Sequence, residues 1–267
     1  MTQTALIAGA SGGIGSAVAK RFHAKGFRLM LVDMDAARLE AMAKAYPGAS
    51  VHVLDQRDRG ALDVFCDGVI EGRAFIDVCV INAGMLVIGD LAAISRQDMA
   101  DQIQVNLTAT AMLIQSFARR MGREGRGHIM ATVSIGGIVS LKGSATYSAS
   151  KFGVRGLLWG LKDELAAKGV RVTGVFPAGV DTPMLRHEAM HGGSALNFVG
   201  RPVEADDIAR ACERALARPR LEVHVPYSES LTSRLAGAYP WLLGGLYPLL
   251  EWMGEIGRKK FLKRIAH

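Results

Sequence analysis

The chain has 267 residues, 49% of them hydrophobic and 21% charged, with 32 Lys and Arg against 25 Asp and Glu for a formal net charge of +7. That length and composition make one large domain or two small ones with a sizeable core, and they exclude a disordered segment, a collagen and a disulfide scaffold. The positive excess would suit nucleic acid or an anionic membrane only if it were clustered.

From the N-terminus, the first apolar run, residues 5–8, is too short for a signal core and leads straight into glycines, so no targeting segment is expected. Short apolar runs suited to buried strands recur at 5–8, 29–32, 51–54, 78–81, 129–133, 170–176 and 222–225. Helical stretches at 16–25, 36–45, 61–70, 106–121, 149–167 and 204–217 lie between them. Strands alternating with helices predict an α/β fold, a doubly wound parallel sheet in three α/β/α layers. Residues 1–226 are expected to form this single domain and 227–267 a C-terminal helical extension. Cys66, Cys79 and Cys212 show no C-x-x-C spacing, which points to buried packing in a reducing compartment, expected to be the cytoplasm.

Gly9-Ala10-Ser11-Gly12-Gly13-Ile14-Gly15 falls where the first strand hands over to the first helix. Glycines there let the backbone approach a pyrophosphate, and free N–H groups opening the helix supply hydrogen bonds and positive dipole. The spacing is G-x-x-x-G-x-G rather than the general G-x-G-x-x-G fingerprint, and alone it also fits a flexible turn. The second strand ends in Leu31-Val32-Asp33, where a carboxylate can accept from an adenosine ribose and repel a 2′-phosphate. Asp33 or Asp35 could instead cap the next helix. No Arg or Lys replaces Asp33 or Gly12, so NAD is expected over NADP.

Arg119, Arg120, Arg123 and Arg126 crowd the expected end of the 106–121 helix, where cations complement the dipole. No aromatic residues alternate with them, and nucleic acid is not an expected partner. Tyr147 and Lys151 stand at i and i+4 of a predicted helix, so an ammonium beside the phenol would favour the phenolate and make Tyr147 an acid/base near neutral pH. A lone Y-x-x-x-K also fits a solvated helix face; here Ser134 precedes the tyrosine by thirteen positions.

With these residues in order, the chain resembles the short-chain dehydrogenase/reductase family from about residue 4 to residue 225, through Gly9/Gly13/Gly15, Asp33, Asp55, Asn82-Ala83-Gly84, Asn106, Ser134, Tyr147, Lys151 and Pro177 to Thr182-Pro183. The resemblance implies a Rossmann-type fold and a nicotinamide cofactor. It implies that Tyr147 is the general acid/base and that Ser134 polarises the substrate oxygen. Lys151 would bind the nicotinamide ribose and tune Tyr147, and Asn106 would hold a relay water. Cofactor contacts are expected from Gly9, Ser11, Gly13, Ile14, Gly15, Asp33, Asp55, Gln56, Asn82, Ala83, Gly84, Tyr147, Lys151, Pro177, Val180 and Thr182. Ala8, Ile81, Ala178 and residues 130–133 depart from the family pattern without removing a catalytic group. The family's usual homodimer or homotetramer would form through helices 106–121 and 149–167.

His187-Glu188-Ala189-Met190-His191 spells H-E-x-x-H, a zinc motif, but it falls in the family's variable substrate loop and offers no third ligand, so no metal is expected and the histidines are lid residues or solvated. The last 41 residues hold six of the 17 aromatics, and the final twelve carry five basic groups and no acidic one. A transmembrane helix is rejected, since the apolar stretch 235–250 is too short and is broken by prolines. The extension is expected to roof the substrate cleft, make an oligomer contact, or lie on a membrane surface. The expected activity is NAD-linked hydride transfer to or from a lipophilic secondary alcohol or ketone. Two rival classes fit parts of the chain, a non-catalytic dinucleotide sensor and a membrane-surface scaffold.

Overall fold

The computed structural model describes residues 2–72 and 74–266. Its sheet strands are β1 (Thr4–Ala8), β2 (Arg28–Asp33), β3 (Ser50–Val53), β4 (Val78–Ile81), β5 (Gly127–Thr132) and β6 (Val170–Pro177). A separate two-residue pair, β7 (Val180–Asp181) and β8 (Val203–Glu204), precedes the last sheet strand, β9 (Glu222–Val225). The seven-stranded sheet is parallel throughout, in the order β3-β2-β1-β4-β5-β6-β9.

The helices are α1 (Gly13–Ala24), α2 (Ala36–Ala45), α3 (Arg59–Glu71), α4 (Arg96–Ile103), α5 (Thr110–Glu124), α6 (Ala145–Ala166), α7 (Pro183–Met190), α8 (Ala205–Ala217), α9 (Tyr227–Ala238) and α10 (Pro240–Ile265). Because strand side chains alternate, the central strands feed two cores. Leu6, Cys79 and Ile129 pack with Leu62 of α3, Phe117 of α5 and Leu158 of α6. Ala5, Ile7 and Val80 pack with Phe22 of α1, Leu39 of α2 and Ile208 of α8. This is the predicted doubly wound, three-layer α/β/α arrangement.

Three local departures matter for the site. The helix expected at 106–121 is the far part of a longer helical run, in which a π turn, Gln104–Ala109, joins α4 to α5. Stretch 183–190, expected to be loop, is the helix α7, with Thr182 as its N-cap and Pro183 in its first turn. The arginine cluster is engaged by α3 and its neighbourhood: Arg120 donates to the carbonyls of Ile70 and Gly72, Arg123 to Ile70, and Arg126 pairs with Asp77 at 2.7 Å. These cations complement the carbonyl end of α3.

The extension clamps the wall of the molecule around α7. Gly254 and Gly257 bring α10 onto the turn Ala195–Phe198 so tightly that added Cβ atoms would lie 2.1 Å from the Ala195 carbonyl oxygen and 1.9 Å from that of Phe198. Phe261 is buried against Phe198, Leu185 and Ala189, and Arg264 pairs with Asp181 at 2.7 Å. No helix among the described residues is long and apolar enough to cross a membrane.

Candidate active site

Strand order reverses direction between β1 and β4, and a cleft of about 480 Å³ opens at the carboxyl ends of the strands there. Every predicted site residue lines this cleft except Gly15 and Asn106, which stand behind its wall.

The glycine turn forms its floor. Gly9 has φ +77°, and a Cβ there would lie 2.5 Å from the Ala83 nitrogen. A Cβ on Gly15 would meet the Gly9 carbonyl oxygen at 2.0 Å. Asn82 ties this turn to β4 by donating its side-chain N–H to the Gly9 carbonyl at 3.3 Å. Helix α1 opens at Gly12 with no side-chain cap and no acidic residue in its first turn, which leaves its N–H groups available to an anion.

At the far end, Asp33 accepts from the Ser11 N–H at 2.9 Å and so fixes the glycine turn from β2. Asp35, not Asp33, caps α2 by accepting from the Arg38 N–H at 3.0 Å. Asp55 is gripped by Arg57 at 2.6 Å, and this hydrogen-bonded pairing holds its carboxyl below the usual carboxylate range. Gln56 Oε1 is buried without a partner among the described residues, and Gln56 lines the cleft. An open helix N-terminus, a carboxylate and an unanswered amide oxygen along one cleft fit a dinucleotide.

At the other end, Tyr147 and Lys151 come one turn apart on α6. Ser134 lies beside Tyr147 and lowers its hydroxyl, while its own Oγ accepts from the Gly136 N–H at 2.9 Å. Lys151 is buried, donates to the Thr132 carbonyl at 3.0 Å, and stands 5.7 Å from the Tyr147 ring centre. Burial pushes the Tyr147 hydroxyl up to about 12, against the lowering by Ser134, and brings Lys151 down to about 8. Burial is the main cause of the rise at Tyr147, the Glu188 charge adds to it, and Ser134 opposes it. Asn106, in the π turn, accepts from the Met85 N–H at 2.8 Å and donates to the Met85 carbonyl at 2.9 Å and to Ser150 Oγ at 3.2 Å. With both ends of its amide engaged by protein, the side chain is a strut between the β4 loop and α6.

The model of the short chain dehydrogenase family matches residues 3–191. Over 218 residues the chain is 34% identical to the D-threitol dehydrogenase of Mycolicibacterium smegmatis, covering 78% of this chain and 84% of that one. This chain belongs to the short-chain dehydrogenase family. The dehydrogenase is similar in fold to a short-chain dehydrogenase from Sphingobium yanoikuyae solved with NADPH, with TM-score 0.78 and 29% identity over 91% of this chain and 95% of that one. It is also similar to the bulky-bulky ketone specific alcohol dehydrogenase from Comamonas testosteroni, with TM-score 0.75 and 27% identity over 91% and 94% of the two chains.

The substrate side of the dehydrogenase's cleft is apolar at Leu86, Leu141, Met184 and Leu185 and polar at Ser144, Glu188 and Asn197. No described residue of the extension lines the cleft itself, but α10 touches both of its sides: Tyr247 accepts from the Lys142 N–H at 3.0 Å, and Gly254 and Gly257 lie on the Ala195 and Phe198 carbonyls. In the H-E-x-x-H stretch, His187 and His191 stack on the exposed side of α7 at 4.1 Å while Glu188 turns inward. No group of three or more His, Cys, Asp or Glu side chains suited to a metal comes together among the described residues. Sequence reasoning missed Glu188 as a cleft residue. The available signal was the 185, 188, 189 spacing, one helical face carrying a carboxylate between two apolar residues.

Proposed function

We propose that the dehydrogenase transfers hydride between NAD and a secondary alcohol or ketone with a largely apolar body, using Ser134, Tyr147 and Lys151 with Asn106 as their support. The observation that carries this is Tyr147 beside Ser134 and backed by the buried Lys151, all three lining the cleft floored by the glycine turn. The nicotinamide ring, when bound, supplies the two-electron hydride donor or acceptor. In reduction Tyr147 gives its proton to the substrate oxygen, and in oxidation it receives one. Ser134 donates a hydrogen bond to the same oxygen as charge gathers there. Lys151, with its pKa at about 8, is predominantly charged at neutral pH and stabilises the phenolate as it forms. A phenol at about 12 keeps its proton at rest, the form that donates in reduction. The test is reduction of a ketone series and oxidation of the matching secondary alcohols; failure with all of them, by a protein that binds NADH, would favour the sensor.

The preference for NAD is supported by Asp33, beside which a 2′-phosphate meets like charge. The nearby Arg38 and Arg57 are already paired with Asp35 at 3.2 Å and Asp55 at 2.6 Å. We expect kcat/KM for NAD to exceed that for NADP by about 100-fold, the worth of one like-charge contact a few ångströms away. The ratio narrows in Asp33→Asn. NADP used equally well by the native protein would refute the preference.

The extension supports a second reading, peripheral contact with an anionic membrane. Leu246, Leu249, Trp252, Met253 and Ile256 form an exposed row along α10, and it runs into the exposed Lys260 and Lys263. The protein is expected to float with phosphatidylglycerol vesicles at low salt and to lose this with Trp252→Ser. No flotation, with a dimer disrupted by the same substitution, would assign the row to a subunit contact. Phe152 and Trp159, exposed on α6, support the homo-oligomer expected through that helix.

A further inference from the structure

The cleft holds one buried carboxylate for which the proposed hydride transfer has no use. Glu188, on the inward face of α7, is 3% exposed and lines the same cleft as Tyr147. Its Oε1 is fixed, accepting from the Ser194 N–H at 3.1 Å and from Asn197 Nδ2 at 2.7 Å. Its stem is boxed in at Gly193, where a Cβ would come within 1.8 Å of Glu188 Cγ. Among the described residues nothing donates to Oε2 and no cation pairs with the carboxylate. Oε2 is not sealed from solvent as Ser144 Oγ is, and Glu188 lines the cleft, so this oxygen can take a hydrogen-bond donor from a bound molecule. At the N-cap of α6, Ser144 also lines the cleft, and its Oγ is buried without a partner among the described residues.

We infer that Glu188 is a substrate-recognition residue whose Oε2 accepts a hydrogen bond from a second hydroxyl of the substrate, so that the preferred substrates are diols and hydroxyketones on an otherwise apolar body. This rests on the hydride-transfer reading above and adds to it the class of molecule. A hydroxyl fits better than an ammonium for two reasons. Lys151 already places one buried cation at this end of the cleft, and a second would meet it across a poorly solvated space. Burial also pushes the Glu188 carboxyl up to about 7, and a hydroxyl can donate to its ionised form or accept from its protonated form. The contact also reaches the reacting group, since the charge of Glu188 raises the Tyr147 hydroxyl and a donor on Oε2 disperses that charge.

The test compares octan-2-ol with octane-2,3-, 2,4- and 2,5-diols and with the aminooctan-2-ols carrying ammonium at the same positions, in the native protein and in Glu188→Gln and Glu188→Leu. The native protein is expected to prefer at least one diol over octan-2-ol by tenfold or more in kcat/KM, about the worth of a hydrogen bond to a charged group. That preference, carried mainly in KM, shrinks in Glu188→Gln and falls to near unity in Glu188→Leu. As a ratio within one variant it cancels any general loss of activity, and NADH titration with thermal melting identifies a variant that has failed to fold. If the native protein oxidises octan-2-ol as well as every diol, or prefers an ammonium, the inference fails while the hydride-transfer reading stands. If no carbinol is turned over at all, the reading itself fails.

Discussion

Replacing Tyr147 by phenylalanine is expected to lower kcat by about 10³- to 10⁴-fold, the upper range for loss of a positioned general acid, while NADH affinity stays within about twofold of native. The ring remains in place on α6, and the substitution removes only the hydroxyl that lies beside Ser134. Lys151 keeps its own anchor on the Thr132 carbonyl, so the cofactor end of the cleft is untouched. Steady-state rates with a ketone and NADH, together with a fluorescence titration of NADH, measure both halves. Native-like turnover in the variant would remove Tyr147 from the chemistry; loss of NADH binding would make it a cofactor anchor instead.

Gly15→Ala is expected to weaken NADH binding by about 100-fold and to destabilise the fold by about 3 kcal/mol, the upper end for overpacking against atoms that cannot retreat. The added methyl would sit 2.0 Å from the Gly9 carbonyl oxygen and 3.0 Å from Ala10 Cα, which are both backbone. Gly9 is held at both ends, its N–H donating to the Val32 carbonyl at 2.8 Å and its carbonyl accepting from Asn82 at 3.3 Å. Gly12→Ala is the informative partner: its methyl meets only the Gly9 carbonyl oxygen, at 3.5 Å, so the fold tolerates it. Loss of NADH affinity in Gly12→Ala without loss of melting temperature isolates the close backbone approach. Native affinity in both variants would show that the turn does not hold the cofactor.

Most of the sheet was legible because a parallel sheet is buried on both faces, and runs such as 78–81 then have no polar alternation to blur them. Helix α4 was not, because its eight residues are mostly polar and offer only Met99, Ala100 and Ile103 as an apolar stripe; Ser95, which accepts from the Asp98 N–H at 3.0 Å, marks its start. The residues expected to make the site are widely separated in sequence, yet fixed strand ends and a glycine turn bring nearly all of them to one cleft. What the chain order could not disclose was their environment. Whether Lys151 or burial governs Tyr147 depends on packing from β5 and α6, and the inward turn of Glu188 depends on Ser194 and Asn197 reaching it from the next loop. The H-E-x-x-H spelling drew notice to the histidines, whereas the buried member of the motif is the glutamate.

The most direct test of the central claim is mass analysis of the alcohol formed from a ketone and NADH carrying deuterium on the transferred face of nicotinamide C4. Direct hydride transfer predicts one deuterium, at the carbinol carbon, in the native product and next to none formed by Tyr147→Phe. A native product free of deuterium, or the label at any other carbon, would contradict it.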